Sequence, residues 1–278
     1  MKIAGFLVCL VISLGIVPQA LADALVHFDS ATVKPSPFRE RKAKEQGEAL
    51  PLPQATPLLG YLTRPQGDGP FPAVVLMHGC GGLHAHVRDV WPERLASWGY
   101  AVLVVDSFTT RNIENSCKTY LPERVFDAYG ALDFLSKQGF VDPSRVALMG
   151  FSAGGISTLE ATKVEGNEQL MDEKFKAAVA YYPVCAVHES DATVPTLILV
   201  GALDDWSPAE RCRKRIANLS GKGPPVELNV YPGARHDFDD EAMTRPKTVF
   251  GHVEEYNAAA AEQSIASIKD FLQAHLGK

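Results

Sequence analysis

Val146-Ala147-Leu148-Met149-Gly150-Phe151-Ser152-Ala153-Gly154-Gly155 is the stretch from which the fold is read. Val146 to Met149 is a short apolar run of the kind that forms a buried strand, and the residues from Ile156 onward suit a helix. Between them stands G-x-S-x-G. A serine on a sharp strand-to-helix turn needs neighbours without side chains, because strand and helix would otherwise collide with it. In this context the pattern predicts that Ser152 is presented as a nucleophile. The turn also sets it at a helix N-terminus, where free N–H groups favour developing negative charge. The competing reading is a glycine-rich turn with an incidental serine, and the surrounding sequence decides between the two.

Working outward, similar apolar runs recur at Leu58 to Leu62, Ala73 to Met77, Ala101 to Val105, Ala177 to Tyr181, Thr196 to Val200 and Val226 to Val230. Each ends near Gly, Pro, Asp or Ser, as buried strands do. Helical spacing appears from Pro122 to Gln138, through Val125, Tyr129, Leu132 and Leu135, and again from Glu255 to Leu276. Strands alternating with helices predict an α/β fold with a mainly parallel central sheet and helices on both faces. Residues 58–278 read as one catalytic domain, and 23–57 as an N-terminal edge strand (Leu25 to Phe28) and a surface loop (Lys34 to Gln54).

In such sheets ligands sit at the carboxyl ends of the strands, which directs attention to three further loops. His78-Gly79-Cys80-Gly81-Gly82 follows one strand, and by position the N–H groups of Cys80 and Ala153 would form an oxyanion hole. Gly201-Ala202-Leu203-Asp204-Asp205 follows another. There Asp204 is the expected acid and Asp205 the reserve, against the alternative that both merely shape a turn. Tyr231-Pro232-Gly233-Ala234-Arg235-His236 follows the last strand and supplies a general base in His236. Four separate loops thus agree on Ser152, Asp204 and His236. His78, His84 and His86 could be imagined as metal ligands, but no matching carboxylate–histidine pattern follows, and no metal or cofactor is expected. Phe108, Phe151, Trp206 and Phe238 lie near these loops as candidates for an apolar pocket.

Of the 278 residues, 46% are hydrophobic and 22% charged, and the formal net charge is -6, a globular composition with no cationic surface for nucleic acid. The densest basic cluster, Arg211, Arg213, Lys214 and Arg215, reads as a solvated helix face. Residues 1–22 read as a cleaved signal peptide: Lys2, an apolar run from Ile3 to Val17 that falls short of the ~20 residues spanning a bilayer, Pro18, and Ala20-Leu21-Ala22 as the cleavage site. The mature protein is expected outside the cytoplasm, periplasmic or secreted, with no membrane attachment. Export leaves Cys80, Cys117, Cys185 and Cys212, with three possible disulfide pairings. Cys80 with Cys117 and Cys185 with Cys212 are favoured as near neighbours flanking adjacent strands.

With these pieces assembled, the chain resembles the dienelactone hydrolase family of the α/β-hydrolase superfamily. The resemblance runs from about Leu58 to the C-terminus. It rests on Phe71-Pro72-Ala73-Val74-Val75 leading into His78-Gly79-Cys80-Gly81-Gly82, on Arg124 with Asp127 and Ala128, and on Val141-Asp142 and Arg145-Val146 leading into Gly150-Phe151-Ser152. Tyr231-Pro232-Gly233-Ala234-Arg235-His236 completes it. It implies the α/β-hydrolase fold and hydrolysis of a small-molecule carboxylic ester or lactone. The family's namesake enzymes use cysteine where this chain has Ser152, a less acidic group that depends on His236 during attack. Arg111 is a candidate for a substrate carboxylate by position alone, the alternative being a surface arginine. Two other readings stand beside the esterase: a peptidase of prolyl-oligopeptidase type, and a non-catalytic binding protein on the same fold.

Overall fold

The computed structural model describes residues 21–33, 37–47, 54–119, 121, 123–186 and 190–277. The expected signal segment therefore lies almost wholly outside the described residues. The first strand, β1 (Leu21–Asp29), begins two residues before the expected cut.

An eight-stranded sheet in the order β1-β2-β4-β3-β5-β6-β7-β8 forms the body. Its strands are β1, β2 (Pro57–Arg64), β3 (Phe71–Met77), β4 (Ala101–Asp106), β5 (Val141–Phe151), β6 (Ala177–Tyr181), β7 (Thr196–Gly201) and β8 (Val226–Tyr231). β1–β2 and β2–β4 pair antiparallel, and every pair from β4 to β8 is parallel. Parallel strands buried on both faces explain the unbroken apolar runs.

Alternate side chains pack on opposite faces. Val74, Leu76, Val102, Val104, Ala147 and Met149 join the core with Trp91, Leu95, Ile268 and Leu272 on one side. Those core partners come from α2 (Trp91–Ser97) and the final helix (Ala258–Leu276). Val75, Met77, Leu103, Val105 and Leu148 join Val125, Ala128 and Leu132 on the other, a face covered by the helix Arg124–Ser136. The final helix starts where the sequence offers a cap, with the Asn257 side chain accepting a hydrogen bond from the Ala260 N–H at 3.1 Å.

Two readings of the sequence need correction. The stretch Lys34 to Gln54 is not all loop, since it contains the helix α1 (Pro37–Gln46). Glu40, Arg41, Lys42, Ala43 and Lys44 are good helix formers, and proline suits a first helical turn, but a segment with so few apolar residues has no periodicity to betray it. The basic cluster is likewise not simply a solvated face. Helix Ala209–Ala217 buries Ala209, Cys212 and Arg215 on its inner side, and burial pulls the Arg215 guanidinium down to about 10 against the charge of Glu160.

The chain reverses its winding direction after β4. From β3 it moves to β4 on one side, then crosses back to β5 on the other. The connections leaving the C-terminal ends of β3 and β5 therefore diverge at a switch point, where this architecture leaves its crevice. The helices following the switch are α3 (Arg124–Ser136), α4 (Ala153–Ala161), α5 (Ala209–Ala217) and α6 (Ala258–Leu276). A small hairpin, β9 (Lys247–Val249) and β10 (His252–Glu254), projects beside that crevice.

Candidate active site

Ser152 links β5 to α4 with φ 51° and ψ −114°, outside the comfortable regions for a residue with a Cβ. The turn is held by the Ser152 N–H donating to Tyr181 O at 3.0 Å and the Ile156 N–H donating to Ser152 O at 3.0 Å. Its tightness explains the glycines. A Cβ on Gly150 would lie 2.2 Å from Gly154 O, and one on Gly154 would lie 2.2 Å from Met77 O.

His236 is brought to the same point from the end of β8. Its Nε2 lies 3.0 Å from Ser152 Oγ, and its Nδ1 lies 2.8 Å from Asp204 Oδ2. The carboxylate can only accept, so Nδ1 carries the proton and Nε2 turns a lone pair to the serine hydroxyl. Asp204 is fixed in turn, because its Oδ1 accepts from the N–H groups of Trp206 (2.9 Å) and Ser207 (2.7 Å). Asp205 points elsewhere, accepting from the Val253 N–H at 3.3 Å. Tyr182 and Trp206 flank the imidazole with ring centroids 4.6 and 5.2 Å away. Burial opposes a charged His236, but the Asp204 hydrogen bond and the charges of Asp237, Asp204 and Glu254 outweigh it and raise its pKa above the ordinary 6.5.

The loop after β3 passes beside the serine, close enough that a Cβ on Gly79 would stand 3.7 Å from Ser152 Cβ. The N–H groups of Cys80 and Ala153 donate to no acceptor among the described residues. A disulfide joins Cys80 to Cys117, and Cys80 O also accepts from the Ser116 N–H at 2.8 Å, so this loop is tied to the one after β4. The second disulfide, Cys185–Cys212, ties the segment after β6 to α5.

A cavity of about 440 Å³ opens over Ser152 and His236, lined also by Cys80, Phe151, Tyr182 and Trp206. Another of like volume, between β1 and α3, contains no histidine or cysteine. Of the four aromatic candidates, Phe151 and Trp206 line the active cavity. Phe238 belongs to the core, and Phe108 packs edge-on to His78 at 4.5 Å. Arg111 is neither a surface arginine nor available to a substrate carboxylate. Its guanidinium grips Asp127 through two hydrogen bonds of 2.7 and 2.9 Å and donates to Ser107 O at 2.7 Å.

The three histidines considered as ligands go separate ways. His78 is buried beneath the loop, its Nδ1–H donating to Gly79 O at 2.7 Å, while His84 is exposed. His86 holds Asp239 at 2.8 Å, and the same carboxylate accepts from Trp91 Nε1–H (3.0 Å) and the Tyr182 hydroxyl (2.9 Å). This buried network beside His236 was not foreseen from the sequence. Its one local sign was Asp239 standing three residues after His236. Burial disfavours both charges, yet their mutual attraction wins, lowering the Asp239 pKa and raising that of His86.

Residues 58–276 match the dienelactone hydrolase family. A protein of Escherichia coli O157:H7 bearing the name "Putative carboxymethylenebutenolidase" is 29% identical over 258 residues, covering 84% of this chain and 85% of that protein. Among solved structures, a dienelactone hydrolase-like promiscuous phosphotriesterase from metagenomic libraries superposes with TM-score 0.67 at 21% identity, over 92% of this chain and all of that one. Esterase 2 of Thermogutta terrifontis, phosphorylated by paraoxon, gives 0.61 at 20% identity, over 79% of this chain and 89% of that one. At these identities the structural matches establish the α/β-hydrolase fold.

Proposed function

The chain belongs to the dienelactone hydrolase family and is a carboxylic ester hydrolase, and we propose that it works through an acyl-enzyme on Ser152. The observation that carries this reading is the continuous contact Ser152 Oγ–His236 Nε2 (3.0 Å) and His236 Nδ1–Asp204 Oδ2 (2.8 Å). Ser152 Oγ attacks the carbonyl carbon while His236 Nε2 takes its proton. The carbonyl oxygen, now an oxyanion, is received by the N–H groups of Cys80 and Ala153. The imidazolium, steadied by Asp204, then protonates the leaving alkoxide, and water repeats the sequence to free the acid. The substrate is a small ester or lactone taken into the cavity above Ser152. Residues 1–22 act as an export signal in this proposal. Two disulfides suit an oxidising compartment, and no helix among the described residues is long and apolar enough to cross a membrane.

The test is turnover of a short-chain nitrophenyl ester. Ser152→Ala and His236→Ala should each lower kcat by roughly 10⁴-fold or more, on the scale of other triads. A fluorophosphonate probe should label the wild type at Ser152 and leave Ser152→Ala unlabelled. Full activity in purified Ser152→Ala would overturn the proposal.

A further inference from the structure

Resting on the reading of Ser152 as the nucleophile, the charges of its cavity bear on the substrate. The cavity is lined by three carboxyl groups, Asp237, Asp240 and Glu254, against the Lys247 ammonium and the imidazoles of His84, His86 and His236, with no arginine among the described residues. Two of the carboxyls can be accounted for locally. Asp240 accepts from the Ala242 N–H at 2.9 Å and lies 3.9 Å from His86, and Asp237 stands beside the charge of His236, although desolvation raises its own pKa. Glu254 cannot. It is only 6% exposed, yet its carboxyl makes no hydrogen bond and no ion pair among the described residues. Its backbone bridges to His236 at the end of β10, and the Glu255 N–H donates to His236 O at 3.2 Å. The side chain is therefore held at the catalytic edge of the cavity. Burial, followed by the nearby charge of Asp237, pushes its pKa up to about 7 despite His236 and Lys247.

The Glu254 oxygens are not among the sealed, unsatisfied polar atoms of the interior, so this acid opens onto the cavity and takes its partner from there. What it awaits follows from the sign of its neighbours. An anionic group would meet carboxyls on two sides. A cation would be drawn to these carboxyls and would favour the ionised form of Glu254. We propose that this protein selects esters bearing a positively charged group, an ammonium or quaternary ammonium, bound against Glu254 with Asp237 and Asp240 in support. A hydroxyl could also bond to Glu254, but it would draw nothing from the other two carboxyls.

Matched thioesters differing only in charge test this: butyrylthiocholine, its uncharged 3,3-dimethylbutyl isostere, and the butyryl thioester of 3-mercaptopropionate, followed by thiol release at about pH 8 and low ionic strength. The expected order of kcat/KM is cationic, neutral, anionic, with a cationic-to-neutral ratio of about tenfold or more that shrinks in high salt. Glu254→Gln should carry that ratio most of the way to unity, and Asp240→Asn should reduce it less. In the wild type, benzyltrimethylammonium should compete with the neutral ester better than phenylacetate does, a readout needing no substitution. A wild-type ratio of one or below, with the neutral thioester turned over in a Ser152-dependent way, would overturn this inference and leave the esterase reading standing. So would a ratio unchanged in Glu254→Gln. Failure to turn over any ester would instead count against the esterase reading itself.

Discussion

At the scale of single residues, two adjacent aspartates have different environments. Asp204 is buried, with one oxygen on His236 and the other on two backbone N–H groups. Asp205 is half exposed on the outside of the same turn. Asp204→Asn should therefore lower kcat by about 10³–10⁴-fold, since an amide can favour the wrong imidazole tautomer, while Asp205→Asn should stay within a few-fold. Assaying the two variants side by side checks this, and a crippled Asp205→Asn would reverse the assignment. The raised pKa of His236 sets the pH response. As the proposed base, His236 would act only when neutral, so kcat/KM should rise with pH through a midpoint above 6.5, and the acidic limb of a pH profile measures it. The contribution to stability runs the other way: a raised histidine pKa stabilises the folded state below 6.5, and that gain is lost as pH climbs through the folded value.

At the scale of elements, the elbow and the neighbouring loop depend on close approach and on covalent ties. Gly154 lies where α4 meets the end of β3, and a methyl there would overlap the Met77 carbonyl. Gly154→Ala should cost at least ~1–3 kcal/mol, as overpacking does, and move Ser152 off its 3.0 Å contact with His236, so thermal unfolding and esterase activity should fall together. The Cys80–Cys117 disulfide closes a segment with a sequence separation of 37 and ends in the loop that presents the Cys80 N–H. Replacing both cysteines with alanine should cost about 2–4 kcal/mol and reduce kcat, because the proposed oxyanion donor loses its anchor. Unchanged kcat in a folded double variant would show that the glycine loop keeps its shape unaided. Both disulfide pairings were legible in the sequence. An even set of four cysteines in a chain read as exported points to disulfides, and short sequence separation favours these partners. The helix α1 was not legible, because its residues carry propensity without an apolar stripe.

At the scale of the whole molecule, the His86–Asp239 pair joins the segment before α2 to the loop after β8 across a sequence separation of 153. With Trp91 and Tyr182 on the same carboxylate it fixes the wall behind His236. Asp239→Asn leaves a buried imidazole that can no longer be charge-compensated, and should cost about 3–5 kcal/mol of stability, visible in the denaturation midpoint. The lowered Asp239 pKa gives stability that is present above the ordinary carboxylate value of 3.8 and lost as pH falls through the folded value. Acid unfolding of Asp239→Asn should accordingly be less steep than that of the wild type.

The alternation of apolar runs and helical spacing, and the glycines around Ser152, come from local chemistry: a strand buried on both faces must be apolar, and a turn this tight excludes side chains. These features pointed to the α/β architecture and to the four loops at its edge from the residues alone. The diversion of Arg111 to Asp127, the partnership of His86 with Asp239 and the placing of Glu254 on the cavity wall were decided only in three dimensions. Each depends on which side chains from distant segments arrive at one place and how they point there, and no spacing along the chain encodes that meeting.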